Sequence, residues 1–474
     1  MNSRINHKTI VAKKNRLSNL FYVRQAVASA TFFMDIPSFD TLKEKVVSYR
    51  KQCEIIDRWL VKRLDTVLPM IMQRSGIDTW IICNNEHNED PVFRTLSPAL
   101  MMSARRLTIL IMHLKEDGSV ERFSLTHPVP DIARLYTPCW LNPKDAVWGN
   151  DKYFLENKKG VKVSETPETQ WECLGRVIHE LQPEKIGLDY SEHDAYADGL
   201  SHSLYLKVMN ALYEEDRNKV VSAEPLCIGW LETRIDEEMN AYNGIVQMAH
   251  ALIKEAYSSK VIHPGVTTND DVRFWMMEKA RSLGLDPWFD FETSIIRKDA
   301  DIEGEDIIQP GDVLHCDIGF RYLGLCTDTQ EMAYILKNGE VDAPQELKNA
   351  MATVNRLQDI TLDKFEAGKS GNAVLKEARE EALKKGIKPC IYSHPLGFDG
   401  HAAGPTIGLW DHQDGVEHEG DYIIHDATCY SLELNAAVEF FGKKQIFSME
   451  SDIMLRDGKK YFLAGRQTNF HLIK

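Results

Sequence analysis

Three things that this 474-residue sequence lacks narrow its function. Its nine cysteines are dispersed with no C-x-x-C pair, which argues against a disulfide framework and against a zinc ribbon. No apolar run approaches the roughly 20 residues that a membrane-spanning helix needs. Basic residues are outnumbered, 56 Lys and Arg against 71 Asp and Glu, and the net charge of -15 argues against a nucleic-acid partner. We therefore expect a globular protein that acts on a peptide or another small molecule.

The sequence divides into an N-terminal extension and two larger parts. Residues 1–40 are predicted to be a basic extension of a cytoplasmic protein. The alternative is an exported or organellar protein, if this segment is a targeting signal. Over residues 41–230 strand-like and helical stretches alternate, which predicts an α/β domain. Its first helix is expected from Val46 to about Arg74, interrupted at Pro69. Residues 231–474 begin with two amphipathic helices, and two more are expected near 345–366 and 371–386.

The segment HCDIGFRYLGLCTDTQEMAYIL carries two aspartates, Asp317 and Asp328, in what otherwise resembles buried strand. Its two apolar runs predict a β-hairpin that turns at Tyr322, Leu323 and Gly324. Burying an ionised carboxylate costs several kcal/mol unless it is paired or bound to a metal. The hairpin by itself allows two interpretations, a shared cation or two aspartates that hydrogen-bond to nearby backbone.

Three downstream motifs favour the cation. SHPLGFDGHAAGP contributes a histidine pair, His394 and His401, while SLELN and SMESD each place one glutamate, Glu433 and Glu450, inside an apolar run. The resulting candidate ligands are Asp317, Asp328, His394, Glu433 and Glu450. Such an oxygen-rich set suits a pair of manganese, cobalt or zinc ions rather than a structural zinc site. Two ions a few ångströms apart can share a hydroxide as the nucleophile of a hydrolysis.

The ordered motifs HCDIG, CTDTQ, SHPLGFDGH, SLELN and SMESD resemble the pita-bread metallopeptidase family of Xaa-Pro aminopeptidase, prolidase and methionine aminopeptidase. The α/β first half is similar to that of creatinase and the Xaa-Pro enzymes, which favours the proline-directed branch. The resemblance implies an α/β N-terminal domain followed by an α+β pita-bread catalytic domain with a curved antiparallel sheet. It also implies a homodimer with no membrane partner, and two divalent ions, with Mn²⁺ expected and Co²⁺ or Zn²⁺ as alternatives.

The resemblance also implies a role for each candidate residue. Asp317 would bind one ion, His394 and Glu433 would complete the second, and Asp328 and Glu450 would bridge the two. His401 would contact the substrate and stabilise the oxyanion. Glu433, with Glu450 as the alternative, would also move the proton from water to the leaving amine. The implied activity is a metallo-aminopeptidase or dipeptidase that hydrolyses the N-terminal bond of a short peptide, with Xaa-Pro as a candidate substrate.

Three departures from the family pattern leave other functions open. The histidine usual about seventeen residues before the first aspartate is missing, and Arg297 or Lys298 is the candidate replacement as a donor to substrate. Glu331 stands where an arginine is usual, and is expected to raise the pKa of neighbouring carboxylates. Ala402 follows the second histidine in place of an acid. The alternatives are a metal-binding protein without peptidase turnover and a creatinase-like hydrolase of C–N bonds.

Overall fold

The computed structural model describes residues 37–127, 131–140, 168–298 and 306–474. Its helices are α1 Phe39–Lys43, α2 Tyr49–Ser75, α3 Phe93–Leu96, α4 Gln170–Leu181, α5 His202–Ala211, α6 Glu214–Arg217, α7 Glu224–Glu232, α8 Asp236–Ala256, α9 Asn269–Ser282, α10 Gln345–Lys364 and α11 Gly371–Lys384. Most of the predicted basic extension, residues 1–36, lies outside the described part of the chain. None of the helices in the described ranges is both long and apolar enough to cross a membrane.

The strands are β1 Thr79–Asn85, β2 Leu107–Leu114, β3 Val120–Leu125, β4 Thr137–Pro138, β5 Ile186–Leu188, β6 Val220–Ser222, β7 Asp286–Pro287, β8 Glu292–Ile296, β9 Val313–Ile318, β10 Phe320–Tyr322, β11 Leu325–Cys326, β12 Thr329–Ile335, β13 Pro389–Ile391, β14 His394–Leu396, β15 Thr428–Phe440, β16 Lys443–Arg456, β17 Lys459–Phe462 and β18 His471–Ile473. The first six form one mixed sheet in the order β4-β3-β2-β1-β5-β6. With α2 and α4 beside it, this sheet is the α/β unit that the sequence predicts.

The longest helix of the first half differs from the prediction at its centre. Helix α2 begins after Ser48, whose side chain accepts a hydrogen bond from the Lys51 backbone, and it ends at Gly76 in the left-handed conformation. Pro69 lies inside it, so the predicted interruption is wrong. The reason is tertiary, because Leu68, Ile71 and Met72 are fully buried and hold the helix on both sides of the proline.

The second half is organised around a nine-stranded sheet. Its main path runs β13-β15-β16-β12-β9-β8, with β14 beside β15, β17 beside β16 and β18 beside β12. All of these pairs are antiparallel except β12 with β18. Helices α10 and α11 pack on one face through buried residues such as Leu347, Val354 and Val374. The large antiparallel sheet that the sequence predicts is therefore present.

The predicted hairpin is confirmed, with a subdivided tip. Strands β9 and β12 pair from Ile318 opposite Thr329 onwards. Between them β10 and β11 turn at Leu323 and Gly324, whose φ angles of 54° and 79° suit a tight primed turn. These two short strands join β7 in a separate three-stranded sheet. The two aspartates thus lie where the long strands of the hairpin meet the tip.

One hydrophobic core connects the two halves of the chain. Leu68 of α2 and Trp230 of α7 belong to the same buried cluster as Tyr242 of α8 and Ile318 of β9. The described residues therefore pack around a core that continues across residue 230. The domain boundary predicted there stays a prediction.

Candidate metal centre

Five strands of the nine-stranded sheet position the candidate ligands. Asp317 is in β9, Asp328 directly precedes β12, His394 begins β14, Glu433 is in β15 and Glu450 is in β16. Glu433 and Glu450 are direct cross-strand partners. Because paired residues of adjacent antiparallel strands lie about 5 Å apart on one face, the sheet itself brings these side chains together.

The side chains converge as two overlapping groups. Atoms of Asp317, Asp328 and Glu450 lie within 4.8 Å of one another, and so do atoms of His394, Glu433 and Glu450. The Nε2 atom of His394 is 3.6 Å from Asp328 Oδ2, 3.8 Å from Glu433 Oε2 and 3.8 Å from Glu450 Oε1. Each group has the size of one ion's coordination shell. Glu450 belongs to both, and Asp328 joins a third group with His394 and His401, which is consistent with the bridging roles that the sequence predicts for these two carboxylates.

Unpaired buried atoms show that the cluster fits a cation. Asp317 Oδ1, Glu450 Oε2 and His394 Nε2 are buried and have no hydrogen-bond partner. An unsatisfied buried polar atom costs about 1–3 kcal/mol, so three of them at one point need an explanation. The other ring nitrogen of His394, Nδ1, lies 3.0 Å from its neighbour's carbonyl, that of Pro395. That contact places the proton on Nδ1 and leaves the lone pair of Nε2 free for a metal.

The electrostatics of the carboxylates lead to the same conclusion. Burial, and then the charge of Glu450, raise the pKa of Glu433 to about 10 and hold the pKa values of Asp317 and Asp328 well above the usual range. Burial also raises the pKa of Glu450 to about 7 and lowers that of His394 to about 4. Four carboxylates this close are all ionised at neutral pH only when cations lie between them. Two divalent ions would balance their charge.

The mouth of the site is formed by His401 and an aromatic wall. The His401 ring packs edge-on against His394, with centroids 4.6 Å apart, and against Trp288 at 5.3 Å. The Trp288 indole donates from Nε1 to the carbonyl of Thr327 at 2.9 Å. It lies against two glycines, since a Cβ on Gly319 or on Gly400 would come within 2.2 or 2.0 Å of the indole. His401 is thus fixed at the rim while its ring stays exposed.

Comparison with known proteins places this part of the chain. Residues 239–450 match the family model of metallopeptidase family M24. This part of the chain is similar to that family. It spans all five candidate ligands and four of the helices around the nine-stranded sheet. No curated protein matches the sequence.

Several solved structures align with most of the chain. An X-Pro aminopeptidase from Thermotoga maritima is 18% identical with a TM-score of 0.56, and the alignment covers 84% of this chain and 99% of that one. For an Xaa-Pro dipeptidase from Bacillus anthracis the identity is 17%, the TM-score 0.55 and the coverage 88% and 100%. For a variant of Escherichia coli aminopeptidase P they are 12%, 0.54, and 87% and 96%. At these identities the likeness shows a shared fold, so the predicted pita-bread architecture with an α/β first half is confirmed.

The predicted substrate donor Arg297 does not lie at the candidate metal centre. Its guanidinium forms two hydrogen bonds of 2.7 Å with the carboxylate of Asp312 and another of 2.8 Å to the carbonyl of Ile307. Glu292, five residues earlier, is the residue opposite Asp317, so Arg297 is displaced by about 17 Å along the strand. The prediction for Arg297 is wrong because Asp312 binds its charge at the far end of β8. The position of the missing histidine, residue 300, lies outside the described ranges.

The expected effect of Glu331 on the site is also wrong. Side chains alternate along β12, so Glu331 points away from the ligands and towards the helices. There it contacts Nδ1 of His250 in α8 and Nε2 of His471 in β18, each at 2.5 Å. Burial raises the pKa of Glu331, but the two histidines outweigh this effect and bring it down to about 2. The acid is part of a buried hydrogen-bonded cluster with the two histidines behind the sheet.

Two polar residues near the ligands have no counterpart in the sequence analysis. Gln330 donates to Asp317 Oδ2 at 3.2 Å and to Glu433 Oε1 at 2.7 Å. Glu292 is exposed, and its charge contributes to the raised pKa values of Asp317 and Glu433. The alternation D-x-Q after the second aspartate was a signal for Gln330, because it places the amide on the face that carries Asp328. Glu292 has no local signal, since only the strand register brings it to the site.

Proposed function

We propose that the protein is a dinuclear metal-dependent exopeptidase that hydrolyses the N-terminal peptide bond of short peptides, Xaa-Pro peptides among them. The observation that carries the proposal is the convergence of four buried carboxylates and His394 with three buried polar atoms left unpaired. Asp317, Asp328 and Glu450 would hold one ion, and His394, Glu433, Glu450 and Asp328 the other. Bound there, two divalent ions would activate a water molecule and polarise the scissile carbonyl.

The charge around the site suits a free α-amino group. The four carboxylates and two divalent ions have no net charge together, so a nearby ammonium group is not repelled. Glu292, exposed opposite Asp317, then adds one negative charge at the mouth. A peptide with a protonated N-terminus is attracted to that position, and a blocked one is not. This favours cleavage at the end of a chain over cleavage within it.

Residues of the chain would assist the chemistry in two ways. His401 has an exposed ring beside His394, so it can donate a hydrogen bond to the carbonyl oxygen as negative charge develops there. Glu433 lies with its Oε2 3.8 Å from His394 Nε2, inside the ligand cluster, so its carboxylate could accept a proton from the attacking water and pass it to the leaving nitrogen. Trp288 and Phe289, with ring centroids 4.4 Å apart, offer an apolar wall for the residue after the cleaved bond.

The test is release of a free amino acid from matched peptides. Metal is removed with a chelator, and manganese, cobalt or zinc is restored. The substrates are short peptides that begin with Ala-Pro or Ala-Ala, each with a free or an N-acetylated amino terminus. Asp328→Asn removes one ligand charge, and Asp457→Asn makes the same change at an exposed position. We expect metal-restored cleavage of the free peptides only, retained in the Asp457 variant and lost in the Asp328 variant.

Other outcomes would contradict the proposal in identifiable ways. Two bound ions with no cleavage of any peptide would indicate a metal-binding protein without peptidase turnover. Equal cleavage of acetylated and free peptides would exclude the exopeptidase assignment. Failure of the protein to bind any of the three metals would exclude the whole proposal.

A further inference from the structure

Gln330 occupies the centre of the ligand cluster. It is 3% exposed, and its Cα is paired with Asp317 on one side and with Glu450 on the other. The strands that supply ligands to both ions therefore meet at this residue. A buried amide in such a place must find partners for both its oxygen and its NH₂ group.

The contacts of the amide fix its orientation. The Nε2 atom lies 2.7 Å from Glu433 Oε1 and 3.2 Å from Asp317 Oδ2, and Oε1 lies 3.0 Å from His315 Nε2. Ionised carboxylates only accept hydrogen bonds, so the NH₂ group must face them and the amide oxygen must face the ring. His315 then donates from Nε2 to the amide oxygen. The histidine thereby holds Gln330 with both of its protons on the ligands.

Each of these two ligands consequently has one oxygen engaged and one free. Asp317 uses Oδ2 for the amide, while its Oδ1 is buried and unpaired. Glu433 uses Oε1 for the amide, while its Oε2 faces His394 Nε2 at 3.8 Å. The two carboxylates belong to different ligand groups, one for each proposed ion. A single side chain thus restricts both halves of the centre.

We propose that Gln330 is a specificity-determining residue that limits Asp317 and Glu433 to one metal-binding oxygen each. This inference rests on the proposed dinuclear site. Fewer carboxylate oxygens lower the number of protein ligand atoms around each ion. Zinc is commonly coordinated by four ligands, whereas manganese in an oxygen-rich site prefers six. The amide therefore shifts the preference of the centre away from manganese and towards zinc or cobalt.

The experiment compares metal binding in three proteins. Gln330→Met keeps the length of the side chain and removes its hydrogen bonds. Gln358→Met is the matched control, because Gln358 is fully buried but contacts Asn355 and Ser451 on the helix-facing side. Stoichiometry and dissociation constants for Zn²⁺ and Mn²⁺ are measured by titration calorimetry, and the visible absorption of the Co²⁺ form reports the coordination number.

We expect two ions per chain in all three proteins. In Gln330→Met the ratio of zinc to manganese affinity falls about tenfold, in the range typical of residues that orient metal ligands. The Co²⁺ bands of that variant lose intensity, as a rise in coordination number requires. The Gln358 variant keeps the wild-type ratio and spectrum.

Several results would overturn the inference. An unchanged affinity ratio and Co²⁺ spectrum in Gln330→Met would do so while leaving the dinuclear site intact. A second ion that binds only after Gln330 is removed would contradict both the inference and the dinuclear site of the wild type. Absence of metal from the wild-type protein would instead refute the proposed function. If Gln330→Met does not fold, a crystal structure of the zinc-loaded wild type decides, because bidentate binding by Asp317 or Glu433 contradicts the inference.

Discussion

Replacing Glu331 with glutamine should destabilise the protein without emptying the metal site. The carboxylate is 3% exposed and accepts one hydrogen bond from His250 and one from His471. Its pKa is lowered from 4.5 to about 2, and at 1.36 kcal/mol per pKa unit this amounts to about 3 kcal/mol in favour of the ionised form. Glutamine keeps the shape but carries no charge and presents an NH₂ group to one of the two histidines. We therefore expect a loss of about 3 kcal/mol of unfolding free energy at pH 7.

The sign of the pH dependence follows from the direction of the shift. Because the pKa of Glu331 is lower in the folded than in the unfolded protein, its stabilisation is complete above about pH 4.5 and is lost as the pH falls towards 2. The difference between wild type and Glu331→Gln should shrink over the same interval. His250 and His471 flank residue 331 in both proteins, so the comparison isolates the carboxylate.

The assay is urea unfolding of the chelated proteins at several pH values, followed by metal titration at pH 7. Glu417→Gln serves as the control, because Glu417 also lies near a histidine, His418 at 3.5 Å, but is exposed. The control should change stability by less than about 0.5 kcal/mol, as exposed ion pairs do. The reasoning is refuted if Glu331→Gln unfolds at the wild-type urea concentration, or if it loses the two bound ions while remaining folded.

Two further substitutions test the first half of the chain. Tyr196→Phe removes a hydrogen bond of 2.5 Å from the tyrosine hydroxyl to the His401 carbonyl; at about 1 kcal/mol for such a bond, kcat/KM should fall about fivefold while metal affinity, measured by titration, stays the same. Asp189→Asn replaces a buried acid that accepts from Trp80 Nε1 at 2.6 Å and whose pKa is raised well above the usual range by burial and by Asp90. An acid whose pKa is raised on folding stabilises the folded state at low pH, and this stabilisation is lost as the pH rises. Asp189→Asn should therefore unfold at a higher urea concentration than wild type at pH 8 and at the same concentration at pH 4. An equal gain in urea midpoint at both pH values would contradict this reasoning.

The candidate ligands could be predicted because burying each of these polar side chains in an apolar segment costs free energy. A lone carboxylate inside an apolar run, as at Glu433 and Glu450, needs a partner such as a cation to offset the cost of its burial. The alternation of side chains along a strand then indicates which neighbours lie on the same face. The D-x-Q spacing places Gln330 on the face of Asp328, but burying a neutral amide costs less than burying a carboxylate, so the residue type alone did not indicate a role. Its role depends on a register among three strands that a single sequence does not display.

Glu331 shows where reasoning from one motif fails. Residue 331 was interpreted from the motif around Asp328 alone. The partners of Glu331 lie 81 and 140 residues away along the chain, in a helix and in the last strand. Nothing near residue 331 announces that His250 and His471 will be beside it. Pro69 is a second example, because burial of residues on both sides of it outweighs the tendency of proline to interrupt a helix.

The arrangement of the ligands on strands has a consequence for how the protein gains and keeps its metal. Residues between Asp317 and Glu450 come together only when β9, β12, β15 and β16 are paired, so the open chain has no high-affinity site. The binding free energy of each ion is then added to the stability of that sheet, by about 2.7 kcal/mol at a hundredfold excess over the dissociation constant. Metal supply would therefore affect the lifetime of the protein in the cell as well as its activity, because a chain deprived of ions lacks this contribution to the stability of the sheet.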